Sequence, residues 1–381
     1  MAYLRAVLWI YLGFALFAVA YAAMMLTYRH YWRTLSEWQL PDNYQHRTSV
    51  TVLVPARNEA AGIEACLRGI AAQNFPKELL QIILLDDHSE DNTAELAAAI
   101  PGVEVLRLAD FPARTSNSFK KHAISIGIAH ARGELIVGTD ADCLVPPDWL
   151  RLLTSVYETT GAVFIAAPVN FHREQTAFQR FQSLDFAGMI GITGAGMHGD
   201  FLHMANGANL AYSKKVFEEI GGFGPELARA SGDDMLLLQR FRAHHPERIF
   251  FLKNRQATVR TTPMPDWSSF YQQRLRWGTK TGDYQDTGTK LQLGLAWLFC
   301  WAVLFAGIST PWIGWEPVAG LLLAKFLVDY LFLASVVRYF GRRDLLRGFP
   351  ISQFWHLAYI LVVGTASIFV QRYEWKGRRV R

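Results

Sequence analysis

The feature that most limits the fold of this chain is an uncharged segment near its start. Positions 6–28 contain no charged residue in 23 places, and about 20 apolar residues are enough to cross a bilayer core. A cleaved signal peptide is the alternative, but its apolar region is usually about 7–15 residues long and ends at a small-residue cleavage site. Here the aromatic and basic run 28–33 follows, as at a membrane interface. We therefore expect a retained anchor.

Apolar composition returns near the end of the sequence, after a mixed stretch over about 50–282. Segments 291–315 and 318–337 are candidate membrane spans, and 354–370 is a third, shorter one. The whole chain is 51% hydrophobic and only 19% charged, which excludes a disordered protein. The chain has only three cysteines, and they lie far apart, which argues against a disulfide framework and a CxxC metal site.

The net charge of +5 could indicate nucleic-acid binding, but many basic residues flank the apolar runs. This placement favours a membrane surface, and we expect no nucleic-acid partner. Arg29 and Arg33 follow the first span, and four arginines lie between the last two spans, whereas the loop 310–315 has no Lys or Arg. The positive-inside rule then predicts a cytoplasmic central domain. The basic tail 372–381 contradicts four simple crossings, so either the last segment is re-entrant or interfacial, or a span is miscounted.

The central stretch alternates strand and helix patterns. Strands are expected at 50–55, 81–85, 103–106 and 135–139, and helices at 60–72, 91–99 and 119–131. Such alternation predicts a parallel, Rossmann-like α/β sheet. Ligands bind beyond the carboxyl ends of the strands in these sheets, and two acidic pairs, Asp86/Asp87 and Asp140/Asp142, follow strands at those ends.

Several charged motifs in this stretch are candidates for chemistry, and each also has a structural reading. Asp140 and Asp142 could bind Mg²⁺ or Mn²⁺ together with substrate phosphates, or could form a solvated turn. Lys120 could meet a phosphate or lie on a solvated face. Asp233 and Asp234 precede an apolar helix, where acidic residues also favour the helix dipole.

The segment QRLRW (273–277) lies just before the later spans and is polar and aromatic. An interfacial helix with Trp and Arg at the lipid headgroups is its structural reading.

In this order and spacing, the motifs resemble membrane-bound family 2 glycosyltransferases of the GT-A fold. That group includes cellulose, hyaluronan and poly-N-acetylglucosamine synthases and several lipid glycosyltransferases. The matching motifs are VPARNE (54–59), DDHS (86–89), KKHAI (120–124), TDAD (139–142), NGANLAY (206–212), GDDMLL (232–237) and QRLRW (273–277). They cover roughly 50–280, and the QxxRW form of the last motif is the most discriminating.

The resemblance implies a role for each matching position. The nucleotide-sugar site would comprise Pro55, Glu59, Asp86, Asp87, Lys120 and Asp140. In the DxD motif, Asp142 would hold Mg²⁺ or Mn²⁺ on the diphosphate, with Asp140 beside it. The catalytic residues would be Asp234, the general base, and Asp233 next to it. The diphosphate and the acceptor would be capped by Gln273, Arg274, Arg276 and Trp277.

Two positions depart from the family pattern: Asp233 stands where many members have Glu, and Phe119 where many have Gly. The expected activity is inverting transfer of a sugar from a nucleotide sugar, a UDP-sugar, to a membrane-associated lipid or lipid-linked acceptor. An acceptor hydroxyl needs a carboxylate base, and a divalent ion would stabilise the leaving diphosphate. A processive polysaccharide synthase is the alternative, which the few spans count against. A catalytically dead membrane scaffold is a third reading, but none of the five key residues (Asp87, Asp140, Asp142, Asp234, Trp277) is replaced.

These patterns predict a multi-pass protein of the cell membrane. The expected domains are an anchor at 1–30, a cytoplasmic GT-A domain at 48–265, an interfacial helix region at 266–288, and membrane segments with a basic tail at 289–381. Within the second late span, Lys325 and Asp329 would share a helix face. Charges inside a bilayer are costly unless paired, so a structural pair is favoured over a contact with an acceptor lipid.

Overall fold

A computed structural model describes residues 2–42, 44–112, 118–224, 232–280, 286–370, 373–375 and 378–380. The chain divides into two compact units that are interleaved in sequence. The helical unit comprises Met1–Leu35, Glu174–Leu202 and Met264–Gln371. The α/β unit comprises Ser36–Arg173, His203–Pro263 and Arg372–Arg381.

The regular elements are numbered in chain order. The strands are β1 Val50–Ala56, β2 Leu80–Asp86, β3 Val103–Arg107, β4 Leu135–Gly138, β5 Phe164–Ala166, β6 Val169–Phe171, β7 Leu210–Ser213, β8 Ile249–Phe251, β9 Val259–Thr261, β10 Tyr373–Trp375 and β11 Arg378–Val380. The helices are α1 Ala2–Thr34, α2 Ile63–Ala71, α3 Thr93–Ala98, α4 Phe119–His130, α5 Trp149–Thr160, α6 Ala177–His198, α7 Lys214–Glu219, α8 Met235–His244, α9 Trp267–Gly278, α10 Thr287–Ile308, α11 Thr310–Ile313, α12 Glu316–Tyr339 and α13 Phe349–Phe369.

The α/β unit is built on a seven-stranded sheet in the order β3-β2-β1-β4-β7-β5-β8. The first four strands in sequence are parallel and lie where the hydrophobic runs predict them, with α2, α3 and α4 between them. Strand β1 is buried along its length except at Pro55, as expected for a central strand covered on both faces. The GT-A-like α/β architecture predicted from the motifs is confirmed.

The sheet is mixed, whereas the alternation of strands and helices in the sequence predicted a parallel one. Strand β7 runs antiparallel to both β4 and β5. Its first residue, Leu210, pairs with Gly138 and Ala166, the last residues of those two strands. The chain therefore leaves β5 at the carboxyl end of the sheet and returns at the same end after α6, so the returning strand must run the other way.

Four segments among the described residues are long and apolar enough to cross a membrane, by length and composition: Ala2–Thr34, Thr287–Ile308, Glu316–Tyr339 and Arg343–Phe369. Each overlaps a span expected from the sequence. The span expected at 291–315 is shorter than predicted, because α10 ends at Ile308. Pro311 lies in the first turn of the separate α11, and Gly314 has a left-handed backbone with φ +81°.

Helix α6 clusters with the helical unit, although it lies within the stretch 48–265. It packs against α1 and α12. A Cβ at Gly188 would lie 2.8 Å from Leu333 of α12, so the absence of a side chain there lets the two helices approach closely.

The Lys325–Asp329 pair is closed and buried inside the helical unit. Lys325 is fully buried and donates to Asp329, while the hydroxyl of Tyr21 on α1 donates to the other Asp329 oxygen over 2.8 Å. Each charge thus has a partner within the bundle, as a charge away from water requires. These contacts support the structural reading of the pair.

Candidate active site

The loops that follow β1 and β2 are fastened to each other. The guanidinium of Arg57 donates to the carbonyls of Asp87 (3.0 Å) and His88 (2.6 Å), and the N–H of Asp87 donates to Ala56 (2.9 Å). Asn58 and His88 both have left-handed backbones, with φ +52° and +58°, a conformation that Asn and His adopt more readily than most residues. The two strand ends thus form one rigid edge.

The predicted nucleotide-site residues of β1 and β2 lie along this edge. Asp86 and Asp87 are each only 5% exposed. Asp86 Oδ1 is buried and has no hydrogen-bond partner among the described residues, which is costly unless a ligand supplies a donor. Glu59 lies at the start of the turn that leads into α2, where its carbonyl accepts from the N–H of Ile63 (3.0 Å). Its own N–H donates to Thr93 Oγ1 (2.8 Å).

The DxD motif forms a tight turn after β4. The carbonyl of Asp140 accepts from the N–H of Cys143 over 3.1 Å. Asp142 Oδ2 accepts from Thr261 Oγ1 at the end of β9, over 2.9 Å. Desolvation by the surrounding protein raises the pKa of Asp142, and the like charge of Asp140 raises it further. A nearby cation would therefore stabilise the charged form of this carboxylate.

Lys120 connects the strand-end carboxylates. Its Nζ lies 2.8 Å from Asp140 Oδ1 and 3.1 Å from Asp233 Oδ2. Burial disfavours its charged form, but the charges of Asp140 and Asp233 outweigh that effect and raise the pKa of Lys120. The three side chains come from α4, the turn after β4 and the turn before α8, so motifs up to 113 positions apart in sequence meet here. Together with Pro55, Lys120 and Asp233 line a small pocket at this edge.

Asp234 lies beside this cluster and caps α8. Its Oδ1 accepts from the N–H of Met235 (2.7 Å) and its Oδ2 from the N–H of Gly207 (3.2 Å). The capping role that the sequence allowed for Asp234 is therefore present in the structure. The hydrogen bond to Gly207 also connects it to the NGANLAY motif at the start of β7.

The donor set around the DxD turn fits a hard divalent cation that shares its coordination with a ligand. Asp140 and Asp142 supply carboxylate oxygens, and both side chains reach the surface. Among the described residues, no group of three or more His, Cys, Asp or Glu could hold a metal by itself. Such a site suits Mg²⁺ or Mn²⁺, which usually bind through one or two carboxylates plus phosphates.

The QRLRW residues lie on α9, in the helical unit, and do not belong to the α/β unit that carries the other motifs. Arg274 is buried and pairs with Asp185 on α6 over 2.9 Å. Its guanidinium lies 4.3 Å from the ring centre of Trp277. Gln273 and Arg276 are half-buried, and Gln273 Oε1 has no hydrogen-bond partner among the described residues. Arg274 is thus held inside its unit, which differs from the direct ligand contact expected for it.

The sequence motifs did not indicate a role for Asp185, the partner of Arg274. Burial raises its pKa, while Arg274 and the Tyr359 hydroxyl oppose that shift. The signal that could have indicated it is a single acid inside the otherwise uncharged run 181–198, a position where a carboxylate needs a partner.

The mixed sheet with its strand-end carboxylates has a GT-A-like α/β fold. Residues 51–221 match Glycosyl transferase family 2, and the chain therefore contains a family 2 glycosyltransferase domain.

Two curated relatives and one solved structure illustrate the similarity. Glycosyltransferase AglE of Haloferax volcanii is 28% identical over 192 residues, which are 49% of this chain and 59% of AglE. The undecaprenyl-phosphate 4-deoxy-4-formamido-L-arabinose transferase of Shewanella sediminis is 32% identical over 142 residues, 35% of this chain and 40% of that protein. The chain thus spans less than two thirds of the length of either relative. The mannosyltransferase PcManGT of Pyrobaculum calidifontis, solved with GDP-Man and Mn²⁺, shares the fold, with a TM-score of 0.52 and 18% identity over 93% of this chain and 99% of its own.

Proposed function

We propose that this protein is a metal-dependent, inverting glycosyltransferase that moves a sugar from a UDP-sugar to a lipid or lipid-linked acceptor at the membrane. The observation that carries the proposal is the position of Lys120, which joins Asp140 of the DxD turn to Asp233 of the acidic pair. A donor diphosphate, its metal and an attacking hydroxyl would have to meet at such a point.

The donor nucleotide would bind along the edge formed by the β1 and β2 loops. Pro55, Glu59 and Asp87 would contact its uridine part. Asp86 Oδ1, which has no hydrogen-bond partner among the described residues, is an acceptor-only atom and could accept a hydrogen bond from the ring N–H of uracil. This supports a nucleotide whose base offers a donor at that position.

The diphosphate would lie over the DxD turn. Asp142, with Asp140 beside it, would hold Mg²⁺ or Mn²⁺, and the bound ion would neutralise charge on the leaving nucleoside diphosphate. Lys120 adds a fixed positive charge from the protein at the same place, which contributes electrostatic stabilisation that needs no reorganisation during the reaction.

Asp234 would act as the general base for the acceptor. As the hydroxyl oxygen bonds to the anomeric carbon, the bond to the diphosphate oxygen breaks on the opposite face, and Asp234 takes the hydroxyl proton. The anomeric centre inverts and no covalent enzyme intermediate forms. Asp233, held by Lys120, keeps the cluster in place.

The acceptor would approach from the membrane. We assign Gln273, Arg276 and Trp277 to the diphosphate and acceptor, and the four apolar segments to a multi-pass protein whose α/β unit is cytoplasmic. The domain limits expected from the sequence belong to this proposal. A relative acts on undecaprenyl phosphate by name, which supports a lipid-linked acceptor here.

The experiment is a screen of UDP-sugars for transfer and hydrolysis by the full-length protein in nanodiscs, with Mn²⁺ or Mg²⁺. Activity should disappear with EDTA, return with either metal, and fall strongly in Asp142→Asn because a neutral amide is a poor ligand for a hard cation. Asp42→Asn, an exposed aspartate ahead of β1, is the matched control and should behave as wild type.

Full activity in chelator would reject the metal role. Long polymeric products would favour the processive synthase over single addition. Absence of both turnover and nucleotide binding would favour the scaffold.

A further inference from the structure

Asp185 connects three helices of the helical unit at one buried point. Its Oδ2 pairs with Arg274 of α9 over 2.9 Å, and its Oδ1 accepts from the hydroxyl of Tyr359 on α13 over 2.8 Å. The Asp185 and Arg274 side chains are only 5% and 4% exposed. Both carboxylate oxygens are therefore occupied, and the direction of the Arg274 side chain is fixed.

Arg274 in turn contacts the aromatic rings of its own helix. The guanidinium carbon lies 4.3 Å from the ring centre of Trp277 and 4.7 Å from that of Phe270. A planar guanidinium stacks on aromatic faces as well as pairing with carboxylates. Phe186, the neighbour of Asp185, contacts the Trp277 ring as well, with 6.1 Å between ring centres.

We propose that Asp185 is a positioning residue for Trp277 and acts through Arg274. The carboxylate holds the guanidinium, and the guanidinium and Phe186 hold the indole, so one side chain of α6 sets the orientation of the acceptor-contacting aromatic on α9. The proposal extends the function proposed above, because it assigns Trp277 to the acceptor.

The arrangement explains why Arg274 is an arginine. A lysine could pair with Asp185, but it has no planar group to lie against the indole. Charge alone would therefore keep the helices together without fixing Trp277, and Arg274→Lys separates the two roles.

The first test measures Trp277 directly and does not depend on activity. The full-length protein is labelled with 5-fluorotryptophan in nanodiscs, and Trp277→Phe assigns the fluorine resonance of Trp277. That resonance should shift or broaden in Asp185→Asn and in Arg274→Lys. It should stay in place in Asp344→Asn, a half-exposed aspartate of the same unit that pairs with Arg180. An unchanged resonance in a folded Arg274→Lys or Asp185→Asn variant would overturn the proposal.

Asp185→Asn leaves Arg274 buried with a neutral partner and could lower the folded yield. Tyr359→Phe is the milder variant, because it removes one hydrogen bond and keeps the ion pair. It should move the Trp277 resonance in the same direction by a smaller amount, and no movement would count against the proposal.

The second test is a double-mutant cycle on activity. Asp185→Asn should lower transfer to acceptor about 10- to 100-fold, the scale of a small misplacement at an active site, and leave UDP-sugar hydrolysis unchanged. In a Trp277→Ala background it should add little, since residues that act through one another are not additive. The same further loss in both backgrounds would indicate a merely structural role. If wild type transfers no sugar, the proposed function fails, and the fluorine measurement still decides the positioning role.

Discussion

Lys120 donates a hydrogen bond to Asp140, with 2.8 Å between Nζ and Oδ1, and the same nitrogen lies 3.1 Å from Asp233. The positive charge of Lys120 thus offsets two carboxylates, and the negative charge of Asp234 also raises the pKa of Lys120. Among the residues that the structure describes, Lys120 supplies positive charge to carboxylates from two separate motifs.

Lys120→Met should therefore destabilise the α/β unit by about 1.5–3 kcal/mol, the usual worth of a hydrogen bond to a charged group. Added Mn²⁺ should recover more of the melting temperature in the variant than it adds in wild type, because the ion takes the place of the lost positive charge. Scanning fluorimetry in detergent measures both. Lys215→Met, at a largely exposed lysine, is the control, and an equal Mn²⁺ shift in all three proteins would contradict the role of Lys120.

Asp234→Asn should lower the transfer rate by about 10²–10⁴-fold, the usual contribution of general base catalysis. Asn keeps one oxygen that can accept from Met235 and cap α8, while its NH2 group cannot accept from Gly207. The fold should lose only that one hydrogen bond, and the affinity for the nucleotide sugar should hardly change. Asp233→Asn should be milder. Steady-state kinetics together with donor binding distinguish the two, and the reverse order of severity would transfer the base to Asp233.

Lys253 predicts a pH dependence of stability. It is 6% exposed, and burial lowers its pKa from 10.5 to about 8, against a smaller opposing effect of Glu37. Between these values the unfolded chain binds more protons than the folded one, so this group makes stability rise as pH rises from about 8 to 10.5, and its cost is greatest below about pH 8. Lys253→Met should raise the melting temperature at pH 7 by a few degrees, with a smaller gain at pH 10. A gain of the same size at both pH values would show that the charge is not responsible.

Asp329→Ala should sharply reduce the folded yield, because it leaves the Lys325 ammonium buried without its partner. The double variant Lys325→Met/Asp329→Leu should recover much of that yield, since replacing both members of a buried pair by apolar residues is often tolerated. Size-exclusion profiles of the solubilised protein report the yield. Normal yield in Asp329→Ala with a changed acceptor preference would instead indicate a lipid contact.

Local pattern was enough to predict much of this fold. The runs at 50–55 and 81–85 combine β-branched and aliphatic residues with abrupt acidic or proline ends, and both form strands. The four long apolar segments were predictable because an apolar run of about 20 residues has few other stable environments. The strand-end acids were also predictable, because a parallel sheet brings the carboxyl ends of its strands to one edge.

What the sequence could not predict depends on contacts between distant residues. The direction of β7 depends on where the chain re-enters the sheet, which no local pattern encodes. The partners of Lys120 lie 20 and 113 positions away, and each of those acids has an ordinary turn or cap reading on its own. Asp185 lies 89 positions before Arg274, and only the packing of α6 against α9 pairs them.

The interleaving of the two units has a consequence for how the chain is made. Strand β7, which separates β4 from β5, is synthesised only after α6. The face of α6 that packs on α12 has to wait for a helix that begins more than 100 residues later. Synthesis from the N-terminus thus completes the last strand of the sheet, β8, before α12 exists, and α6 has to remain without that partner until then. A fragment cut at 36–263 would carry α6 without α1 and α12, and would expose to water the face of α6 that packs on those two helices.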